Sequence, residues 1–366
     1  MDSLAWQRVL VLQNGFLGDT VLTLPLLSEI KLRYPSAKLV LACSPLAKEL
    51  LQDHPDIDEI IVDDKKGSDR GLSGIWRKAM TLKKMSFTVA LTPHKSLRSA
   101  LMLYFAGIPL RVGFRQSVAS FLFHRRVTRE PQRHDVEINL SLLRAFGIQP
   151  EDCRRSMRLP PGSGSEAVVK KILSSMGVDE EKTLIGINPG SVWATKRWSA
   201  EGFAGAIQLI RKNYDCDVLL FGGPADAVVA SRIQELCGGT LVNLAGKIGL
   251  REMPAALSLC RVLITNDSAP MHMAVACGVP TVAIFCATTP ALGFYPYSDN
   301  AILLEKDLSC RPCGSHGGRR CPLGTEDCIR LISPTHVLQA VAKLLERKRE
   351  SAPAGKDAFS PEFISV

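Results

Sequence analysis

Short apolar runs alternate with helically spaced segments along most of the chain. Arg8 to Gln13 (RVLVLQ) is aliphatic at nearly every position and ends in a glycine turn, so it predicts a strand buried on both faces. From Asp19 to Tyr34, Val21, Leu22, Leu24, Leu26, Leu27, Ile30 and Leu32 recur at helical spacing, with Pro25 in the first turns as a point of bending. The same alternation continues with strands at Lys38–Ala42, Ile57–Val62 and Phe87–Leu91. Helices are expected at Pro45–Gln52, Ser73–Lys84 and Lys95–Ala106. Arg115 to Arg133 reads as basic and irregular, and Asp135–Phe146 as a helix.

Glu151 to Ser165 carries Pro160, Pro161, Gly162 and Gly164 and is the linker candidate. Beyond it a helix at Glu166–Met176 leads into a second alternating series. Its strands are Leu184–Asn188, Val218–Gly222, Leu241–Leu244, Val262–Asn266 and Thr281–Phe285. Its helices are Ser199–Asn213, Ala225–Cys237, Leu250–Cys260 and Pro270–Cys277, with a final helix at Pro334–Arg349. Strand–helix alternation of this kind predicts parallel sheets covered by helices on both faces. The expectation is an α/β protein of two doubly wound Rossmann-like domains facing a cleft. The first spans 1–160 and the second 161–349, with a disordered Ser/Ala/Pro/Gly tail at 350–366.

At 366 residues and 46% hydrophobic, the chain can fill two cores. It shows neither a cleavable leader nor an apolar run of about 18 residues, so a cytoplasmic location is expected. The net charge of +9 points to an anionic partner. Lys95 to Arg133 contributes eight Lys or Arg against one acid, Glu130. The segment lacks RNA- or DNA-binding motifs and has few stacking aromatics, which argues against nucleic acid.

Three loops at strand ends hold the candidate chemistry. The first is Asn14-Gly15-Phe16-Leu17-Gly18-Asp19-Thr20, where a helix start would keep the Asp19 carboxylate ionised. Alone, Asp19 could equally be a helix cap. The loop is not a dinucleotide fingerprint, since G-x-G-x-x-G is missing. The second, Asn188 to Trp198 (NPGSVWATKRW), brings Gly190, Ser191, Lys196 and Arg197 together in a way that suits a diphosphate. The third is Asn266-Asp267-Ser268-Ala269-Pro270-Met271-His272. There free N–H groups at a helix start and Ser268 could hold phosphate, and Asp267 could accept hydrogen bonds from sugar hydroxyls. Two literal D-x-D matches, Asp56-Ile57-Asp58 and Asp215-Cys216-Asp217, precede strands rather than end them, so metal–nucleotide binding is not expected there.

Of the 11 cysteines, four cluster late: Cys310, Cys313, Cys321 and Cys328. Their spacing admits a zinc site, a disulfide or free thiols. The others sit mostly in apolar elements, where cysteine acts as a small hydrophobe.

In order, GFLGDTVLTLPLL, PGSVWATKRWS and NDSAPMHMAVACGVPTVAIF resemble the ADP-heptose lipopolysaccharide heptosyltransferases of glycosyltransferase family 9. LTPHKSLRSALMLYFAGIPLRVGFR and CRPCGSHGGRRCPLG are most similar to the heptosyltransferase II subgroup. The resemblance spans roughly residues 8 to 345. It implies a GT-B fold and an inverting transfer of heptose from ADP-heptose, without a metal or other cofactor. The acceptor would be a lipid A–Kdo–heptose, reached by peripheral contact at the cytoplasmic face of the inner membrane. The catalytic base would fall on Asp19, and donor contacts on Lys196, Asp267, Ser268 and His272. Lys95, Arg98, Arg111 and Arg115 are expected to hold the phosphorylated acceptor. Departures from the family pattern are Ala269 for glycine, Lys247-Ile248-Gly249-Leu250 for K-T-S-L, and Cys286 for the glycine of F-G-x-T. Two alternatives are another acceptor or donor within the same family and a nucleotide-sugar-binding protein without catalysis.

Overall fold

The computed structural model describes residues 6–178, 181–239, 241–347 and 359–366. The chain divides between Arg158 and Leu159 into two compact units, inside the segment read as the linker.

The first unit carries β1 (Arg8–Gln13), β2 (Lys38–Cys43), β3 (Glu59–Val62), β4 (Val89–Thr92), β5 (Leu110–Phe114) and β6 (Arg125–Val127). They form a parallel sheet in the order β3-β2-β1-β4-β5-β6. Its helices are α1 (Leu17–Val21), α2 (Leu24–Arg33), α3 (Pro45–Leu51), α4 (Gly71–Lys84), α5 (Leu97–Phe105) and α6 (Asp135–Ser141). Leu10, Leu12, Val40, Ala42 and Ala90 of the central strands pack with Ile75, Ala79, Leu82, Met102 and Leu103 of α4 and α5.

The second unit carries α7 (Ser165–Ser175), β7 (Thr183–Asn188), α8 (Ala200–Asn213), β8 (Cys216–Leu220), α9 (Ala227–Leu236), β9 (Val242–Asn243), α10 (Met253–Leu259), β10 (Val262–Asn266), α11 (Ala269–Ala276), β11 (Thr281–Phe285), β12 (Ala301–Glu305), α12 (Asp327–Arg330), α13 (Pro334–Glu346) and β13 (Glu362–Ser365). Its strand order is β13-β12-β11-β10-β7-β8-β9, again parallel throughout. In both sheets the first strand of the unit lies beside the fourth. The chain therefore reverses its direction of travel across the sheet at β1/β4 and at β7/β10. In open α/β sheets, ligands bind outside the carboxyl ends of the strands at such points.

Several expectations need correction. The single helix read over Asp19–Tyr34 is two, broken at Leu22 and Thr23, with Pro25 in the first turn of α2. Pro25 has no N–H, and its ring would collide with the carbonyl of Val21, the last residue of α1. The irregular segment Arg115–Arg133 contains β6, a short edge strand whose Arg125 and Arg126 are exposed. Charged side chains on an edge discourage further strand pairing. The tail is not wholly disordered. Residues 350–358 lie outside the described residues, but Glu362–Ser365 adds β13 beside β12. Glu362 is held there by Arg347 (2.7 Å) and Lys343 (2.6 Å), and buried Phe359 packs edge-on against Tyr297. Among the described residues no helix is long and apolar enough to cross a membrane.

Candidate functional site

In the first unit the glycine loop leaves β1 at the sheet's switch point. Asp19 is the third residue of α1 rather than its cap, and its Oδ2 accepts the N–H of Phe16 at 3.0 Å. That bond satisfies one of the donors a helix start leaves open. A side chain at Gly15 would place its Cβ 2.4 Å from Asp19 Oδ2, so glycine is required for the carboxylate to take this position. Thr23 donates to the Asp19 carbonyl (2.8 Å) and accepts from Gln13 (3.3 Å), which ties the break between the helices to β1.

A charged cluster surrounds this loop that the sequence did not announce. Asp63, just past β3 and fully buried, accepts from Arg98 Nε and Nη2 and from the Asn14 amide at 2.7 Å. Lys65 donates to the carbonyl of Asn14. Burial lowers the Lys65 pKa, while the charges of Asp63 and Asp19 oppose that shift. The Asn14 Oδ1 is buried without a protein partner. His94, just beyond β4, is pushed down to about 4, first by burial and then by Lys65.

In the second unit the two remaining loops come together at the β7/β10 switch point. Asn266, at the end of β10, receives the Trp198 N–H (2.9 Å) and donates to the Pro189 carbonyl (2.7 Å), locking the loops to each other. Asn188 donates to the Gly190 carbonyl (3.2 Å) and to Ser268 (3.4 Å). A Cβ at Gly190 would fall 2.5 Å from the Asp226 carboxylate. Arg197 turns back to the carbonyl of Ser191 (2.7 Å). At the centre Lys196 Nζ meets Asp267 Oδ2 at 2.6 Å, and Thr288 donates to the same oxygen at 2.6 Å. Both members of the pair are largely shielded from solvent. Ser268 precedes α11 without capping it through its side chain, and Pro270 follows in the first turn.

His272, one turn into α11, is buried with Nδ1 unpartnered. Burial, then the Lys196 charge, pushes its pKa down to about 3, so it is neutral at any physiological pH. The shift has a consequence for stability. The unfolded chain takes up this proton near pH 6.5 and the folded chain only near pH 3, so stability is lost as pH falls below 6.5. For His272 alone the loss is about 2 kcal/mol by pH 5. Urea unfolding at pH 7 and pH 5 measures it, and His272→Phe is expected to shrink the difference by that amount.

The late cysteine segment folds onto the second loop. Thr195 N–H donates to the Gly318 carbonyl (3.1 Å), and Gly318 N–H donates to Thr195 Oγ1 (2.7 Å). Gly317 has φ +75°, a conformation L side chains rarely adopt, and a Cβ there would press on Thr195. Arg311 anchors the segment, bonding Glu305 at 3.0 Å and the Phe285 carbonyl at 3.1 Å. Among the described residues no three His, Cys, Asp or Glu side chains are gathered to hold a metal ion. Cys310 is exposed, Cys313 and Cys321 are half-buried, and Cys328 is buried with its thiol pushed up to about 11.

The basic residues expected to hold an acceptor separate into three situations. Lys95 and Arg115 are exposed beyond the carboxyl ends of β4 and β5. Arg98 is committed to Asp63. Arg111 lies at the opposite, amino-terminal end of β5, where it bonds the carbonyls of Leu122 (2.9 Å) and Ile108 (2.7 Å). It is therefore not gathered with the others.

Two parallel α/β sheets, each with chemistry-bearing loops at its switch point, define a glycosyltransferase of the GT-B class. The glycosyltransferase family 9 (heptosyltransferase) model matches residues 75–321, and the chain belongs to that family. It is 26% identical over 343 residues to lipooligosaccharide heptosyltransferase 2 of Campylobacter jejuni, covering 90% of this chain and 96% of that protein. With lipopolysaccharide heptosyltransferase 2 of Salmonella typhimurium it shares 28% identity over 297 residues, 77% and 84% of the two chains. Among solved structures, a family 9 glycosyltransferase from Veillonella parvula matches with a TM-score of 0.83 at 26% identity over 93% and 97% of the chains. ADP-heptose lps heptosyltransferase II of E. coli matches with 0.74 at 25% identity over 93% and 98%.

Proposed function

We propose that this enzyme transfers heptose from ADP-heptose to the inner-core heptose of lipopolysaccharide, with inversion at the anomeric carbon. The observation that carries the reading is the shielded Lys196–Asp267 pair at the start of α11, beside neutral His272. That grouping offers a cation, helix N–H groups and uncharged polar atoms to a sugar diphosphate. Three of the four relatives named above are heptosyltransferases, which supports heptose as the sugar.

The chemistry is a single displacement. An acceptor hydroxyl oxygen attacks the anomeric carbon as the bond to the diphosphate oxygen breaks, and ADP leaves with the electron pair. Asp19 takes the hydroxyl proton, a contribution typically worth about 10²–10⁴-fold. Lys196 and the α11 N-terminus offset the charge that grows on the departing diphosphate. In the first unit, Lys95 and Arg115 are the exposed cations suited to the acceptor's phosphates, with Lys65 behind the glycine loop.

No metal is needed in this scheme. Three of the D-x-D carboxylates have structural partners: Asp56 accepts from Ser28 (2.5 Å), Asp58 binds Lys31 (2.7 Å) and the Leu39 N–H (2.6 Å), and Asp215 pairs with Lys182 (3.4 Å). EDTA is expected to leave the rate of ADP release unchanged. Strong inhibition reversed by Mn²⁺ would contradict that. Acceptor-dependent ADP release from ADP-heptose tests the reaction itself.

A further inference from the structure

The helices α4 and α5 bury one face each against the first sheet. Each also carries apolar residues on its outward side. On α5, Leu97 and Tyr104 are each 47% exposed and Phe105 is 37% exposed, at positions i, i+7 and i+8 of one helical stripe. On α4, Leu72 and Trp76, one turn apart, are 78% and 55% exposed. The two stripes meet, since Trp76 and Phe105 pack edge to face at 5.4 Å and Phe105 touches Tyr104 at 5.6 Å. Arg111, which the acceptor-site expectation had claimed, lies over the Tyr104 ring at 5.5 Å. Leu72 and Trp76 stay mostly exposed despite the Phe105 contact. Scattered apolar residues on a surface are ordinary, but a joined aromatic face calls for a partner.

The charge around this face says which partner. From Lys65 to Arg126 the chain carries thirteen Lys or Arg and a single acid, Asp69. Lys66, Arg70, Arg77, Lys83 and Lys84, on and beside α4, are all exposed. A Trp/Tyr/Phe/Leu face rimmed by cations matches a bilayer interface, where aromatic rings settle at headgroup level and cations meet acidic lipids. A second copy of this chain would set these cations against each other.

We propose that the α4–α5 face is a membrane-docking surface that seats the first unit on a bilayer bearing acidic phospholipids. Apolar insertion and charge act together, as stable peripheral binding requires. The inference rests on this face alone and not on the reaction proposed above.

Flotation of the full chain with phosphatidylethanolamine vesicles containing phosphatidylglycerol, beside phosphatidylcholine vesicles, tests it. Binding to the acidic vesicles is expected to be at least about tenfold stronger and to weaken with added salt. The variant Leu72→Ser/Trp76→Ser is expected to lose about tenfold or more in partitioning. Lys83→Glu/Lys84→Glu should lose a comparable amount on acidic vesicles only. Both substitute exposed residues, and unchanged circular dichroism and thermal midpoint confirm the fold. Equal binding by wild type and both variants would overturn the proposal, as would failure of the wild type to float. A concentration-dependent dimer that Trp76→Ser dissolves, with no vesicle binding, would assign the face to self-association instead.

Discussion

Asp19→Asn is expected to reduce heptosyl transfer by about 10²–10⁴-fold while leaving ADP affinity at the wild-type value. The substitution is nearly isosteric. An asparagine carbonyl oxygen can still accept the Phe16 N–H that Asp19 accepts at 3.0 Å, so the loop and the start of α1 stay in place. What is lost is the ability to take a proton from the acceptor hydroxyl. In the reading proposed above, ADP is held by residues of the second unit, around Lys196 and the start of α11, and Asp19 is not among them. Steady-state ADP release and calorimetric titration with ADP separate the two effects. Loss of ADP affinity together with turnover would remove Asp19 from the base role and place it in donor binding.

Lys196→Met is expected to lower kcat/KM by about 10²–10³-fold, because it removes a preorganised cation from the departing diphosphate. ADP affinity should fall by about tenfold or more, the value of a charge-assisted hydrogen bond. A structural consequence has to be separated from the catalytic one. Asp267 is only 5% exposed, and without Lys196 it keeps Thr288 but loses its counter-charge. Removing one member of a shielded ion pair destabilises a protein because the other charge stays behind. The double variant Lys196→Met/Asp267→Asn takes away that stranded charge. It is expected to regain thermal stability and yet remain slow. If activity returned with stability, Lys196 would act only as the partner of Asp267.

The three informative loops were legible because each is punctuated by residues with a mechanical meaning. Gly15 and Gly190 sit where a Cβ would strike a carboxylate, and Pro270 opens α11. The aliphatic strands β1, β10 and β11 were equally plain. What escaped the sequence depended on distant partners. Asp63 carries no local signal, because its ligands Asn14 and Arg98 lie 49 and 35 residues away in the chain. Arg98 was read as available to a substrate for the same reason. Arg111 sits on a strand, and only the direction of that strand shows that it faces away from the carboxyl ends. Likewise β6 and β13 are short and charged, and they become strands only because β5 and β12 offer them an edge. The packing of Gly317 and Gly318 against Thr195 also joins segments more than a hundred residues apart, beyond any local pattern.

The most direct test of the central claim is ADP release by the wild-type enzyme from ADP-heptose, with and without heptosyl-Kdo₂-lipid A. Release that depends on the acceptor, with the product carrying one additional heptose of inverted anomeric configuration, is the predicted result. ADP bound but never released from the sugar nucleotide, whatever acceptor is present, would contradict it and leave a sugar-nucleotide-binding protein.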